Sequence, residues 1–256
     1  LKTIQEKNEK IIVSGFEDLK KVFEINDIVN LNKKNKWIRG VLYRILRPTL
    51  NFLADREIIS SISVNYEKIF EVYIRETIDY TQTKGFITFF TFVKLGFFQS
   101  EVFFDKSIAK DLKLKKKYLL EADNFLKVIP DNAYKIFVHV RRGDYKDYKV
   151  YGESSLVPMS YFKDQIDWFQ KNKEKCFFIF LSDEFAFIEK EFNHINNKII
   201  SIDNHFGTDM AIMTFCDSAI LSPSSFGWWG SYMMKDRDVV FAPKYWLGFN
   251  SGIEFP

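Results

Sequence analysis

Two adjacent arginines, followed by a glycine and an aspartate, stand directly after a buried run of residues. The run is Tyr134–Val140, and Arg141 to Asp144 follow it with the sequence RRGD. A short continuous apolar run is typical of a strand in a parallel sheet. Arginine binds phosphate oxygens in a bidentate way, and open α/β sheets hold ligands beyond the carboxyl ends of their strands. The motif therefore predicts an anionic ligand, for which a nucleotide diphosphate is the best candidate.

The residues of this motif have different predicted roles. If Arg141 shares its side of the strand with His139, both reach the ligand, with Arg141 stabilising a departing diphosphate. A single histidine on a strand is usually a hydrogen-bonded core residue, but the neighbours of His139 favour a contact with the ligand. Arg142 points elsewhere and either contacts the ligand or pairs with Asp144 to stiffen the turn. Asp144 either holds Arg141 in place or acts as a general base, and we favour the first role because neighbouring arginines make a carboxylate a weak base.

Three further apolar runs also end in polar residues. They cover 177–181, 219–222 and 239–242, and segments with helical spacing separate them. This alternation predicts a parallel sheet with right-handed crossovers, in which polar residues at the strand ends line one rim. The further candidates for donor binding in these regions are Ser182, Asp183, Asp209, Ser224 and Ser225.

Each of these candidates also has a structural interpretation. Ser224 and Ser225 precede a probable helix start, where free backbone N–H groups bind anions, but serines there also serve as simple caps. Ser182 and Asp183 either cap the following helix or hydrogen-bond a ribose hydroxyl. Asp209 either supports a helix start that Thr208 would cap, or contacts a base or ribose.

Composition restricts the class of protein. The 256 residues are 46% hydrophobic with a formal net charge of +3, which predicts a folded chain and gives no reason to expect nucleic acid as a partner. The two cysteines, Cys176 and Cys216, lie in apolar segments and predict buried thiols in a reducing, cytoplasmic compartment. No apolar run approaches about 18 residues, and no signal peptide is visible.

The N-terminal part of the chain is less regular. Lys36–Arg47 is amphipathic and predicts a helix ended by Pro48, which is either an ordinary surface helix or a basic helix lying peripherally on a membrane. Ile69–Ile78 suggests a second helix, and Gly85–Phe98 suggests a strand. Pro130-Asp-Asn132 is a turn signal, so we predict a smaller, irregular N-terminal domain over 1–131 and a doubly wound α/β domain over 132–256.

Motifs for metals and for common cofactors are missing from the sequence. There is no acidic pair of the DxD type at a strand end and no histidine–cysteine cluster, so we expect no metal. There is also no glycine-rich dinucleotide fingerprint and no Walker loop. Redox and ATP-driven chemistry are therefore not expected, and a diphosphate would be bound by arginine and helix N-termini.

Five motifs in this order resemble those of the α-1,2-fucosyltransferases of glycosyltransferase family 11. They are His139-Val-Arg-Arg-Gly-Asp-Tyr145, Leu181-Ser-Asp-Glu184, Asp209-Met-Ala-Ile-Met213 with Cys216, Ser224-Ser-Phe-Gly-Trp-Trp-Gly230 and Ala242-Pro-Lys-Tyr-Trp246. The likeness extends from about Phe86 to Leu247. The arginine motif recurs in several fucosyltransferase families, whereas the ordered set with paired tryptophans is specific to this one.

The resemblance implies an α/β, GT-B-like fold of two facing Rossmann-like domains, the N-terminal one incomplete or irregular here. It makes residues 1–131 the N-terminal, acceptor-side domain and residues 132–256 the C-terminal nucleotide-sugar-binding α/β domain. It also implies GDP-fucose as donor, inversion at the fucose carbon and no required metal. By position, Arg141 matches the arginine on the donor diphosphate, and Asp144 matches an aspartate that is either base or organiser. The positions associated with donor binding are His139, Asp209, Ser224 and Ser225.

Two features depart from the family pattern. A glycine-rich segment of the GGLGNQ type, expected near the N-terminus, does not occur, so the chain is either truncated ahead of Leu1 or a diverged member. Pro223 also replaces the asparagine that usually precedes the serine pair.

The leading hypothesis is an enzyme that transfers fucose to a terminal galactoside of a glycan or glycolipid during synthesis of bacterial surface glycans such as lipopolysaccharide O-antigen. One alternative is a transferase that uses another nucleotide sugar. Another is an inactive glycan- or nucleotide-binding homologue, which the missing glycine-rich segment motivates. Asp147 and Glu153, in the loop after Asp144, are further candidates for the general base.

Overall fold

The protein divides into two compact units, one of residues 1–108 with residue 256 and the other of residues 109–255. A computed structural model describes residues 11–13, 19–24, 28–30, 42–69, 72–94 and 112–252. The boundary predicted at Asn132 falls inside the second unit. The reason is that a helix over Lys116–Leu126 precedes Asn132 and packs within that unit, where the Tyr118 ring stacks on His205 at 4.9 Å between ring centroids.

The N-terminal unit is built mainly from strands. Its elements are β1 (Ile11–Val13), α1 (Leu19–Val22), β2 (Ile28–Asn30), α2 (Arg47–Asp55), β3 (Ile59–Ile69), β4 (Val72–Thr83) and β5 (Ile87–Val93). The short strands β1 and β2 pair in parallel. Strand β3 is the centre of a three-stranded sheet, antiparallel to β4 and parallel to β5.

Two sequence predictions for this unit are wrong and one is confirmed. The segment Ile69–Ile78, predicted as a helix, belongs largely to β4, because long cross-strand pairing with β3 outweighs a weak helical spacing. Pro48 does not end a helix but lies in the first turn of α2, where the N–H that proline lacks has no helical partner. The strand predicted within Gly85–Phe98 is confirmed as β5.

The helix predicted for Lys36–Arg47 is described only from Leu42, where a π-helical turn over Leu42–Leu46 leads into α2. Its other apolar positions, Ile38 and Val41, lie outside the described residues. Ile45 and Leu46 are exposed, at 63% and 42%. Among the described residues, no helix combines the length and the hydropathy needed to cross a membrane.

The C-terminal unit alternates strands and helices. Its strands are β6 (Tyr134–Val140), β7 (Lys149–Val150), β8 (Glu153–Ser154), β9 (Cys176–Ser182), β10 (Lys198–Ile200), β11 (Ser218–Leu221) and β12 (Val240–Phe241). Its α-helices are α3 (Lys116–Leu126), α4 (Met159–Asn172), α5 (Phe185–Glu191), α6 (Phe206–Thr214) and α7 (Ser225–Tyr232). Strands β7 and β8 form a small antiparallel hairpin.

Five of these strands form one parallel sheet in the order β10-β9-β6-β11-β12. The chain therefore starts at the central strand β6, extends outward to one side through β9 and β10, and then crosses to β11 and β12. This is the strand order of a Rossmann-like domain, and the reversal creates a crevice between the carboxyl ends of β6 and β11. The predicted α/β class is confirmed.

The two faces of the central strand pack differently. Ile136, Val138 and Val140 point into a core beneath α4 and α5, where Phe162, Phe169 and Phe180 are also buried. Because side chains alternate, His139 points to the other face, where it contacts α7 at Gly227 and Phe226. Burial on both faces fixes the position of β6, and so the direction in which the arginine motif leaves it.

The close packing of α6 against α7 gives a test of this fold. A Cβ atom added at Gly230 would lie 2.0 Å from the Met213 sulfur and 3.0 Å from its Cβ atom. Gly230→Ala should therefore destabilise the protein by about 1–3 kcal/mol, measured by urea unfolding. In a helix where the added methyl group has space, changing glycine to alanine has the opposite effect and stabilises the protein by about 1 kcal/mol.

A double-mutant cycle separates this contact from other effects of the substitution. Met213→Ala removes the sulfur at 2.0 Å and leaves only the Cβ contact at 3.0 Å, so Gly230→Ala should cost less in that background. If Gly230→Ala lowered the free energy of unfolding equally in both backgrounds, that result would contradict the packing described for α6 and α7.

Candidate functional site

The carboxyl ends of three neighbouring strands bring the predicted polar residues together. In the parallel register, Leu221 of β11 pairs with His139 of β6, and Val140 of β6 pairs with Ser182 of β9. The residues that follow these positions in the three strands therefore leave the sheet side by side. The crevice at the change of strand order is where such sheets bind ligands.

Arg141 is held by two carboxylates. Its Nε and Nη2 atoms lie 3.0 and 2.9 Å from Oδ1 of Asp144, and its Nη1 atom lies 3.1 Å from Oδ2 of Asp183. The contact from Nε to Asp144 is a hydrogen bond and the other two are ion pairs, so both carboxylates hold the guanidinium in place. The side chain is 39% exposed, which leaves it accessible from solvent.

Asp183 shapes the turn that carries the arginines. Its Oδ1 accepts a hydrogen bond from the backbone N–H of Arg142 at 3.0 Å, and its Oδ2 accepts one from Gly143 at 3.0 Å. A Cβ atom at Gly143 would lie 2.7 Å from the same Oδ2, so only glycine permits this approach. The contacts of Asp183 are thus with the arginine turn, and its predicted contact with the donor stays a prediction.

The Arg142 side chain belongs to a separate cluster. Its Nε donates to Oε2 of Glu184 at 3.0 Å, and its guanidinium carbon lies 3.8 Å from the centre of the Phe187 ring. Lys146 pairs with the other oxygen of Glu184, and this hydrogen bond is the main cause that lowers the pKa of the Glu184 carboxyl. At 14% exposure, Arg142 braces the turn against α5 and does not pair with Asp144.

His139 is buried against Ser222, directly after β11. Its Nδ1 atom lies 3.1 Å from the Ser222 Oγ, and only 5% of the residue is exposed. Burial lowers the pKa of His139 from 6.5 to about 4, with Asp183 raising it and Arg141 lowering it to smaller extents. The imidazole is therefore neutral at physiological pH.

The start of α7 offers backbone N–H groups beside this histidine. Ser224 is the N-cap residue and is buried, but its hydroxyl makes no capping hydrogen bond, while Ser225 is exposed. The N–H groups of the first turn have no partner within the helix. The Tyr145 hydroxyl donates to the carbonyl of Pro223 and so ties the arginine turn to the loop ahead of α7.

Ser182 has a local structural role. Its hydroxyl donates to the Val140 carbonyl at 2.8 Å and accepts the Glu184 N–H at 3.0 Å, so it caps the turn into α5. Asp144 is 65% exposed and is held by Arg141. Asp147 and Glu153, the other candidates for a base, are exposed.

Asp209 lies near the end of β10, two strands away from β6. Ser201 donates a hydrogen bond of 2.5 Å to its Oδ1, and Asn204 donates to the Ser201 hydroxyl at 2.9 Å. Burial raises the pKa of Asp209 from 3.8 to about 6. The cap of α6 is His205, which accepts from the Gly207 N–H at 3.0 Å, and not Thr208, whose hydroxyl bonds Glu121.

The residues that sequence reasoning missed are those that join the segments. Ser222 and Tyr145 connect the end of β6 to the loop after β11. Tyr145 ends the arginine motif but was given no role, and Ser222 belongs to none of the motifs. The signal for Ser222 was its position as the last residue of an apolar run, but its partner is known only from the register of β11 against β6. In the described part of the chain, no group of three His, Cys, Asp or Glu residues is arranged to hold a metal ion.

The chain was compared with protein families and with known proteins. A family model described as "Glycosyl transferase family 11" matches residues 18–250, which is most of the chain. The protein belongs to glycosyltransferase family 11, as the resemblance of the motifs predicted.

The curated relatives are distant and longer than this chain. The O-antigen biosynthesis glycosyltransferase WbnK of Escherichia coli is 28% identical over 50% of this chain and 44% of its own length. The galactoside 2-alpha-L-fucosyltransferase SEC1 of Bos taurus is 26% identical over 48% of this chain and 36% of its own length. An alpha-1,2-colitosyltransferase of Escherichia coli is 27% identical over 60% of this chain and 55% of its own length. The matched parts thus cover about half of these relatives or less.

Among solved structures, POFUT1 in complex with GDP-fucose has a TM-score of 0.49 at 11% identity, covering 88% of this chain and 83% of that one. Fucosyltransferase NodZ from Bradyrhizobium has a TM-score of 0.48 at 13% identity, and the match covers 91% of this chain and 84% of that one. Likeness at this level says nothing about the substrate of this chain.

The two perturbed groups at the sheet edge predict opposite effects of pH on stability. Between pH 6.5 and 4 the unfolded chain protonates His139 but the folded chain does not, so this residue makes stability fall as pH is lowered. Between pH 3.8 and 6 the folded chain holds a proton on Asp209 that the unfolded chain has lost, so this residue makes stability fall as pH is raised.

Asp209→Asn should therefore make the free energy of unfolding fall more steeply below pH 6 than it does in the wild type. The added slope should be up to about 1 kcal/mol per pH unit, measured by urea unfolding between pH 4.5 and 6.5. His139→Gln should change the slope in the opposite sense. Parallel pH profiles for Asp209→Asn and the wild type would contradict the raised pKa.

Proposed function

We propose that this protein is an inverting, metal-independent fucosyltransferase that uses GDP-fucose. It would transfer fucose to a hydroxyl of a terminal galactoside, in α-1,2 linkage, during synthesis of a surface glycan. Membership of glycosyltransferase family 11 supports the class of reaction. The observation that carries the proposal for this chain is the position of Arg141, partly exposed, at the change of strand order.

Two sources of positive potential support binding of a diphosphate there. The guanidinium of Arg141 is 39% exposed and can donate to phosphate oxygens, and the first N–H groups of α7 add the positive end of a helix dipole. The two elements lie close together, because the backbone N–H of Arg141 donates to the Ser222 hydroxyl at 2.9 Å, two residues ahead of Ser224. A divalent ion would not be needed to balance the leaving group.

The chemistry follows from this arrangement. The acceptor oxygen forms a bond to the anomeric carbon of fucose on the face opposite the nucleotide, while the bond from that carbon to the diphosphate oxygen breaks. The electron pair of the broken bond stays on GDP, where Arg141 and the α7 amides stabilise it, and the hydroxyl proton passes to a base. The configuration of the sugar carbon is inverted.

The acceptor and location are proposed from relatives and from the chain itself. Galactosides and O-antigen are named for relatives, which supports a galactose-terminated glycan or glycolipid as acceptor. Cys176 and Cys216 are free and buried, which is in keeping with a cytoplasmic protein. Ile45 and Leu46, exposed between Arg44 and Arg47, would provide peripheral contact with the inner membrane.

A second candidate is transfer of a different sugar from a related nucleotide donor. The named activities of the relatives include a colitosyltransferase as well as fucosyltransferases, so the family accommodates more than one sugar. Competition experiments with GDP-fucose and other GDP sugars distinguish the two. An inactive binding homologue would bind GDP-fucose without transferring or hydrolysing it.

Arg141→Ala should reduce fucosyl transfer from GDP-fucose to lactose by on the order of 100-fold or more, because the leaving group loses its main counter-charge. Calorimetric titration should show that GDP and GDP-fucose bind, UDP does not, and the variant has lost most of its affinity. Arg237→Ala is the matched control, since Arg237 is exposed between α7 and β12, at the opposite edge of the sheet. Near-normal turnover in Arg141→Ala would exclude the proposed role.

Asp144→Asn separates the two roles left open for Asp144. An asparagine oxygen still accepts from Arg141 but is not a base, so an organising Asp144 predicts a loss of less than about tenfold. A general base predicts a loss of about 10²–10⁴-fold in turnover. We expect the smaller loss, because Oδ1 of Asp144 accepts a hydrogen bond from Nε of Arg141 and lies 2.9 Å from its Nη2 atom. The measurement is single-turnover transfer at saturating GDP-fucose.

A further inference from the structure

Ser222 is the junction between the end of β6 and the loop that leads to α7. Its hydroxyl lies 2.9 Å from the His139 carbonyl, 2.9 Å from the Arg141 backbone nitrogen and 3.1 Å from the His139 Nδ1 atom. Its own backbone N–H donates to the same His139 carbonyl at 3.0 Å. Only 1% of Ser222 is exposed, so these contacts are made without competition from solvent.

The hydroxyl has one hydrogen, and its position determines the tautomer of His139. If Ser222 donates to the His139 carbonyl, its oxygen is free to accept from both the Arg141 N–H and the His139 Nδ1–H, and all three contacts are hydrogen bonds. If Ser222 donates to Nδ1 instead, its oxygen faces the carbonyl oxygen at 2.9 Å with no hydrogen between them. The first arrangement satisfies each group that surrounds the Ser222 hydroxyl, and it requires the proton of His139 to be on Nδ1.

The other ring nitrogen of His139 is then a lone-pair acceptor. Among the described residues no side chain or backbone group hydrogen-bonds Nε2, and only 5% of the residue as a whole is exposed. An acceptor that lacks a partner within the protein can take a hydrogen bond from a ligand, but a phosphate oxygen cannot supply it because it is also an acceptor. The partner that fits is a hydroxyl.

We propose that Ser222 fixes His139 as the Nδ1–H tautomer, so that Nε2 accepts a hydrogen bond from a hydroxyl of the bound nucleotide sugar. Ser222 is thus a positioning residue, which acts on the ligand through His139 and through the backbone of Arg141. The ligand contact rests on the function proposed above, whereas the tautomer does not. The burial that keeps His139 neutral agrees with this assignment.

The chain contains its own reference for the tautomer. It has three histidines, and His205 accepts from the Gly207 N–H through Nδ1, so it must carry its proton on Nε2. In ¹⁵N-histidine-labelled protein, long-range ¹H–¹⁵N correlation spectra at pH 7.5 should therefore show opposite tautomers for His139 and His205. His194→Gln and His205→Gln assign the signals.

Ser222→Ala should release His139 from a single tautomer, seen as a shift of its two nitrogen signals toward each other. Ser218→Ala is the matched control, because Ser218 is a fully buried serine at the opposite end of the same strand. It should leave the His139 signals unchanged. An Nε2–H tautomer in the wild type, or an unchanged spectrum in Ser222→Ala, would overturn the proposal whether or not the protein transfers sugar.

His139→Asn tests the ligand contact, since asparagine keeps a donor near Ser222 but has no atom at the Nε2 position. It should keep the wild-type unfolding midpoint and bind GDP-fucose about tenfold more weakly, with Ser222→Ala weakened to a similar extent. Unchanged affinity in a folded His139→Asn protein would overturn the contact. Failure of the wild type to bind either nucleotide would overturn the contact together with the proposed function, while the ligand-free spectra still decide the tautomer.

Titration of labelled wild type identifies which hydroxyl is bound. A change at Nε2 with GDP alone indicates a ribose hydroxyl, and a change with GDP-fucose but not GDP indicates a hydroxyl of the sugar. No change with a nucleotide that calorimetry shows to be bound would contradict the proposed hydrogen bond.

Discussion

The parallel pairing of β6 with a strand on each side is the constraint on which the rest of the C-terminal unit depends. Strand β6 is the first strand of the sheet in the chain and lies at its centre, between β9 and β11. Because its residues are buried on both faces, the register with both neighbours cannot slip by one residue without placing His139 in the wrong core. That register brings residues 141–144, 182–184 and 222–225 to one edge, so a polar site arises from apolar packing.

Charge is balanced within the site before any ligand arrives. Arg141 is paired with Asp144 and Asp183, and a second cluster pairs Arg142 and Lys146 with Glu184. Partial burial of these groups would be costly if any were left alone, and the pairing explains why the carboxylates of the RRGD and SDE segments lie beside the two arginines and Lys146. If a diphosphate binds here as proposed, the guanidinium of Arg141 and the start of α7 would offset its negative charge.

The sequence predicted the strands and helices of the C-terminal unit well, because its buried runs are long and bounded by polar residues. Tyr134–Val140 was predicted with the observed bounds, while β10, only three residues long, was missed. The N-terminal prediction failed at β4, where pairing with β3 decides the structure and local spacing misleads. Site residues with motifs were predicted, but their partners were not, since Ser222 and Tyr145 act only through contacts between distant segments.

The contacts of Arg141 also determine whether its side-chain entropy is lost during folding or during ligand binding. A free arginine side chain loses about 2 kcal/mol of rotamer entropy when it is fixed in one conformation. Here Asp144 and Asp183 already restrict the guanidinium in the ligand-free protein, so most of that loss occurs during folding. A ligand that binds to this guanidinium meets a side chain that is already ordered, so little further rotamer entropy of Arg141 is lost when it binds.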